Sequence, residues 1–178
     1  MLASPLVSSS ASLKITLGCV AAVALLAAGA SGCGGGEMQD ADEPTATYEV
    51  AVSKASFPRR QGLGESSKLK ITVQNVGTQE IPNVTMTVNG LNYRTTEPGV
   101  ADPVRPFWVI NIGPINGTTA YVNTWALGPL AAGEERQFVW SLSATQPGTR
   151  TIEYRAGAGL DGKARAVTAD GGVPAGTL

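Results

Sequence analysis

The sequence predicts an all-β domain of two packed antiparallel sheets, and three observations carry that prediction. From Tyr48 onward apolar residues recur at every second position, the period of a strand with one buried and one solvated face. β-branched and aromatic residues fill those positions, while glycine and proline mark the gaps between them. Beyond residue 33 no long stretch shows the 3.6-residue period of a helix.

The chain opens differently. Residues 1–14 contain no acid and end in Lys14, and Ile15–Ala30 is an uncharged, mostly apolar run of 16 residues. That length suits the core of an export signal and falls short of the roughly 20 residues a membrane-spanning helix needs. The run leads through Leu25-Leu26-Ala27-Ala28-Gly29-Ala30-Ser31-Gly32 to Cys33, directly before Gly34-Gly35-Gly36. An apolar run, small residues and one cysteine in this order resemble the lipobox of bacterial lipoproteins. The resemblance implies cleavage after residues 1–32, a diacylglyceryl group on Cys33, and a chain held on the extracytoplasmic side of a membrane. One acyl chain binds a bilayer marginally, and two anchor stably. The same segment also reads as an uncleaved anchor, or as a signal removed at an A-x-A-like site. Cys19 lies inside the apolar run and leaves with the signal.

Residues 33–46 follow as the lipidated cysteine and a linker. Glycine, acids and proline with almost no apolar content bury no core, so this segment is expected to be a flexible tether spanning roughly 20 Å. Residues 47–178 then form the sandwich, ending in a loose C-terminal tail.

Within the sandwich, Leu69, Ile71 and Val73 alternate with Lys68, Lys70 and Thr72, and Val84, Met86 and Val88 with Thr85 and Thr87. Phe138, Trp140 and Leu142 alternate with Gln137 and Ser141, and Ile152 and Tyr154 with Thr151 and Glu153. Trp125 and Tyr121 stand in phase within one segment, so they are expected to share a face. Strands are predicted at about 47–54, 67–76, 83–89, 107–112, 119–127, 134–143, 149–157 and 163–168. Seven or eight strands in two layers bury those faces. Asn75-Val76-Gly77, Gly128-Pro129, Ala132-Gly133 and Gln146-Pro147-Gly148 supply turn residues. Asp161-Gly162 reads as a two-residue hairpin joining the last two strands.

Larger patterns match too. The run Phe57-Pro58, Gln61, Leu69-x-Ile71-x-Val73-x-Asn75-x-Gly77, then Ile81-Pro82-Asn83-Val84 is similar to bacterial immunoglobulin-like domains related to the cell-adhesion-related bacterial domain. Leu130-Ala131-Ala132-Gly133-Glu134 with Phe138, and Pro147-Gly148 with Ile152, resemble the closing strands of that family. The resemblance covers about residues 48–157. It implies an immunoglobulin-like antiparallel β-sandwich used at the cell surface for spacing, adhesion or ligand contact, with no catalytic residues to carry over. Residues 92–118 form a longer, proline-rich excursion than such a sandwich needs.

Composition narrows the chemistry. Removing residues 1–32 from the 178 leaves 146, enough for one domain with a real core. The loss of Lys14 takes lysines and arginines from 13 to 12 against 14 acids, a net charge of −2. No basic cluster exists beyond Arg59-Arg60, so no nucleic-acid partner is expected. With no histidine and Cys33 acylated, Ser-His-Asp and Cys-His machinery lacks its parts, and a zinc site lacks its ligands. Phosphate-loop and dinucleotide fingerprints are missing. Oxygen-only calcium ligation through Asp161, Asp170 or the acids at 40–43 has no matching spacing, and these read as solvated turns. No metal, cofactor or disulfide is expected.

A two-carboxylate enzyme would need a convergent pair, and Glu134-Glu135 point to opposite faces of a strand. With the lipobox and the family resemblance, the expectation is a non-catalytic binding or display module of the cell envelope, whose partner is a protein or a glycan. The alternative is a structural accessory subunit of an envelope or secretion assembly. For a contact surface the sequence offers Arg105, Phe107 and Trp108 in the long excursion, with Tyr121 beside them. Exposed aromatic anchors rimmed by arginine are a common recognition patch. The competing reading is that Phe107 and Trp108 plug the open end of the sandwich.

Overall fold

In the computed structural model, which describes residues 40–91 and 106–178, the alternating segments become strands. They are β1 (Ala46–Ser56), β2 (Ser66–Asn75), β3 (Thr85–Asn89), β4 (Trp108–Ile112), β5 (Thr118–Tyr121), β6 (Thr124–Ala126), β7 (Glu135–Ala144), β8 (Glu153–Gly157), β9 (Ala164–Val167) and β10 (Ala175–Thr177). The alternation is burial made visible. Leu69, Ile71 and Val73 of β2 and Phe138, Trp140 and Leu142 of β7 are wholly buried, with their polar neighbours outside. Val84, Met86 and Ile152 join the same core.

Two five-stranded sheets enclose that core, in the orders β4-β7-β2-β1-β9 and β10-β8-β3-β6-β5. All pairings are antiparallel except β1 with β9, which is parallel. Set aside β9 and the β5–β6 hairpin, and seven strands remain. In chain order these lie first-second-fifth-fourth in one sheet and third-sixth-seventh in the other. That is the strand order of an immunoglobulin-like sandwich. Across the layers Trp125 of β6 meets Trp140 of β7 edge to face, at 5.3 Å and 79°, and Phe138 stacks beside Trp140 at 5.8 Å. Such edge-on packing suits the ring quadrupoles and adds about 0.5–1.5 kcal/mol beyond burial.

Four expectations are corrected. First, ten strands stand among the described residues where seven or eight were expected, because the 119–127 segment is a hairpin and the C-terminal residues add β10. Asn123 turns it with φ of 60°, a conformation asparagine tolerates, and Tyr121 faces Thr124 across the turn. The turn resets the phase, so Trp125 is buried while Tyr121 is 53% exposed. Second, Asp161-Gly162 closes no hairpin, although Gly162 has φ of 87°. β8 and β9 lie in different sheets, and the segment between them crosses from one to the other. Third, the C-terminal residues are not loose. β10 pairs with β8, and Leu178 exchanges both backbone hydrogen bonds with Ile152. Fourth, the described end of the linker is tied down. The Glu43 carboxylate accepts hydrogen bonds from the backbone N–H groups of Leu160, Asp161 and Ala164, and Tyr121 donates to Asp40 at 3.1 Å.

Asn75 is the one fully enclosed amide of the described core. Its Nδ2 donates to the carbonyls of Gln79 and Leu130, and its Oδ1 accepts from Gly77 N–H. It thereby fastens the β2–β3 connection to the turn before β7.

Candidate functional site

Three connections and the chain end converge at one end of the sandwich. The β1–β2 connection brings Phe57 and Gln61, the entry to β4 brings Phe107 and Trp108, and the β7–β8 connection brings Gln146 and Arg150. Between them lies an open cleft of about 570 Å³, with Ile152 and Leu178 at its base.

The aromatic pair is placed by strand pairing. Trp108 opens β4 opposite Ala144 of β7, and Thr145 holds the turn by donating to the carbonyls of Pro106 and Phe107. Both rings therefore point inward. Phe107 is 2% exposed and Trp108 9%, so the pair is part of the core and closes this end of the sandwich. The expectation of an exposed aromatic patch is corrected: an apolar end between two sheets excludes water only if side chains of this size fill it. Phe57 packs edge-on against Trp108 at 5.8 Å, and the indole N–H donates to Gln61 Oε1 at 2.8 Å. Gln61 in turn donates from Nε2 to the Pro58 carbonyl at 2.9 Å.

Arg150 completes the cleft. Its guanidinium lies over the Phe107 ring, 3.9 Å from the centroid, and next to Gly148, whose φ of 125° favours glycine. A cation stacked on a ring this way is worth about 0.5–2 kcal/mol, more as water is excluded. Nothing in the sequence marked Arg150, because its partner ring lies in a distant connection. Arg59, read as half of a solvated pair, also borders the cleft. Among the described lining side chains there is no carboxylate and no nucleophile-base pair. Guanidinium groups and amides at the cleft rim suit holding an anionic group.

The remaining candidates stand elsewhere. Tyr121 is on the edge strand of the other sheet and does not line the cleft. Its hydrogen bond to the Asp40 carboxylate raises its pKa above the ordinary tyrosine value. Cys33 and Arg105 lie outside the described residues. Among the described residues no three His, Cys, Asp or Glu side chains converge to hold a metal, and no helix is long and apolar enough to cross a membrane. Asp161 pairs instead with Lys163 at 2.6 Å, and that contact holds its carboxyl below the usual range.

No family model matches the chain, and no curated protein matches it in sequence. Among solved structures it is similar to a β-glucosidase from Listeria innocua in complex with isofagomine, at 15% identity and a TM-score of 0.33. That match covers 74% of this chain but only 16% of the glucosidase. The human F-spondin reeler domain matches at 12% identity and 0.33, over 75% of this chain and 92% of that one. The archaellum periplasmic stator protein FlaG from Sulfolobus acidocaldarius matches at 13% and 0.30, over 74% and 99%. Likenesses this distant add nothing to the strand order read directly from the pairing.

Proposed function

We propose that this chain is a non-catalytic binding module, displayed on the extracytoplasmic side of a bacterial membrane by a lipid on Cys33. One observation carries the binding role: the end cleft, where Arg150 lies over Phe107 beside Trp108 and Phe57, with no side-chain carboxylate on its described lining. The similarity to cell-adhesion-related bacterial domains supports the same reading. The anchor rests on the small residues before Cys33 and the glycines after it. A photo-crosslinking residue at Gln146, in membranes, is expected to capture a partner that the same residue at Lys70 does not. Replacing Arg150 by Ala abolishes that capture in a folded protein. Capture that is equal from both positions overturns the cleft as the contact. For the anchor, the protein partitions into the detergent phase and Cys33→Ser does not; if both stay aqueous, the lipid is excluded.

A structural accessory subunit is the second reading, and a specific observation favours it. Val109 and Ile112 on the edge strand β4, and Ile115 just beyond it, are 44%, 61% and 75% exposed. Natural edge strands are usually protected by charge or proline. Charged replacements at Ile112 and Ile115 that release a stoichiometric partner would establish this reading in place of the first.

A further inference from the structure

The outer face of the second sheet carries a row of side chains that the end cleft does not use. Arg155 of β8 lies opposite Thr87 of β3, Thr87 opposite Thr124 of β6, and Thr124 opposite Tyr121 of β5. Directly opposed residues share a face, and the next row along, Ala156, Met86 and Trp125, is buried in the core. The first row therefore faces outward. At about 4.8 Å per strand it runs roughly 14 Å, from a guanidinium through two hydroxyls to a phenol ring. Thr87 and Thr124 share a hydrogen bond of 2.8 Å.

This row forms part of the floor of a groove of about 360 Å³. One wall is the crossing between β8 and β9, which lies flush against the sheet because Gly157 has no side chain. A Cβ there would meet Thr85 Oγ1 at 2.3 Å. The other walls are β9, with Arg165, and the turn through Gly171-Gly172 to Val173. The Glu43 carboxylate fixes the crossing from behind through its three backbone hydrogen bonds.

The groove carries charge of both signs. Asp40 and Glu43 stay negative while hydrogen-bonded to Tyr121 and to backbone N–H groups, and Asp161 is paired with Lys163. Arg155 and Arg165 are exposed, and among the described residues neither side chain makes a hydrogen bond or an ion pair. Glu153, on the same face of β8, makes no ion pair with Arg155. A guanidinium with unengaged N–H donors takes a carboxylate in bidentate geometry. Paired threonine hydroxyls both give and accept hydrogen bonds, and match a polyol. The exposed Tyr121 ring, fixed through its hydroxyl, offers an amphipathic surface to a sugar ring.

We propose that this groove binds an acidic saccharide, its carboxylate on Arg155 and its hydroxyls along Thr87 and Thr124. The site is independent of the end cleft, so failure of one leaves the other standing. The test is calorimetry on the full chain in detergent micelles, with trigalacturonate, maltotriose and inorganic phosphate as probes. Trigalacturonate is expected to bind saturably and at least tenfold tighter than maltotriose. Arg155→Met weakens it at least tenfold, Arg155→Lys less, and Thr124→Val severalfold, while Lys70→Met on the opposite sheet has no effect. Absence of saturable trigalacturonate binding overturns the proposal, as does equal binding of maltotriose or indifference to Arg155→Met. Phosphate binding as tightly as trigalacturonate, with the same dependence on Arg155, would reduce the groove to a plain anion site and overturn it too.

Discussion

Gly159 leaves, by having no side chain, the space that the Glu43 carboxylate fills: a Cβ at Gly159 would stand 2.2 Å from Glu43 Oε1. Two segments far apart in sequence are thus fitted to one another at a single point. Around that point Leu160, Asp161 and Ala164 aim their backbone N–H groups inward at the carboxylate. Gly159→Ala forces the carboxylate out and is expected to cost about 1–3 kcal/mol. Glu43→Gln keeps the shape but weakens the charge-assisted bonds, costing about 1–2 kcal/mol. Amide hydrogen exchange reads both directly. Leu160, Asp161 and Ala164 exchange faster in each variant, while the amides of β2 stay as protected as before.

Ile71 and Thr72 are neighbours on opposite faces of β2. Ile71 is wholly buried, and Ile71→Ala is expected to cost about 2–5 kcal/mol through lost burial and the cavity left behind. Thr72→Ala removes only an exposed bond from Gln137 and stays within about 0.5 kcal/mol. Denaturant unfolding of the two variants checks the phase of the strand: equal small losses would mean that it is misassigned.

Trp108 belongs to the core, so Trp108→Ala is expected to cost about 3–5 kcal/mol. Gln61→Leu keeps the ring in place and removes the acceptor of its N–H. That variant loses about 1 kcal/mol, since the indole edge retains some access to water. Thermal unfolding monitored by tryptophan fluorescence distinguishes the two. An unaltered midpoint for Trp108→Ala would return the residue to the surface.

Glu134 gives a dependence on pH. The Ala131 N–H and then the Arg136 side chain hold its carboxyl below the ordinary glutamate range. A folded value below the unfolded one means the contribution is complete above the unfolded value and is lost as pH falls through the folded one. The stability difference between the native protein and Glu134→Gln therefore shrinks as pH is lowered from about 5 to 2. Unfolding midpoints measured across that range check the sign, and a difference that grows on acidification contradicts it.

Most of the sandwich was legible because burial writes itself into alternation. Leu69-Ile71-Val73 and Phe138-Trp140-Leu142 needed no knowledge of their partners to declare an inner face. What was not legible depended on partners. Tyr121 and Trp125 looked coherent until the turn at Asn123 reset their phase, and Ala175-Gly176-Thr177 has no alternation to read. That last strand exists because β8 has an edge to cover, and Gly176 admits the Tyr154 ring beside it, leaving Tyr154 half-buried. Arg150 and Arg155 were invisible for the same reason. One acquires meaning from Phe107, the other from Thr87 and Thr124, and neither neighbour is near it in sequence. The pairing of Phe107 with Trp108 was readable, but which way the two rings faced was settled by β7.

β1 joins the Glu43 tie to the end cleft. It starts at Ala46, three residues after Glu43, and runs through an irregularity between Val52 and Lys54 to Ser56, whose next residue, Phe57, lines the end cleft. Eleven residues at about 3.3 Å each set the two roughly 35 Å apart. Under the proposed anchor and cleft, a load between the two would travel along the axis of this one strand. Its backbone bonds to β2 and β9 lie across that axis, so they resist in shear, many at once, instead of parting one by one. The strand is built as a tie rod.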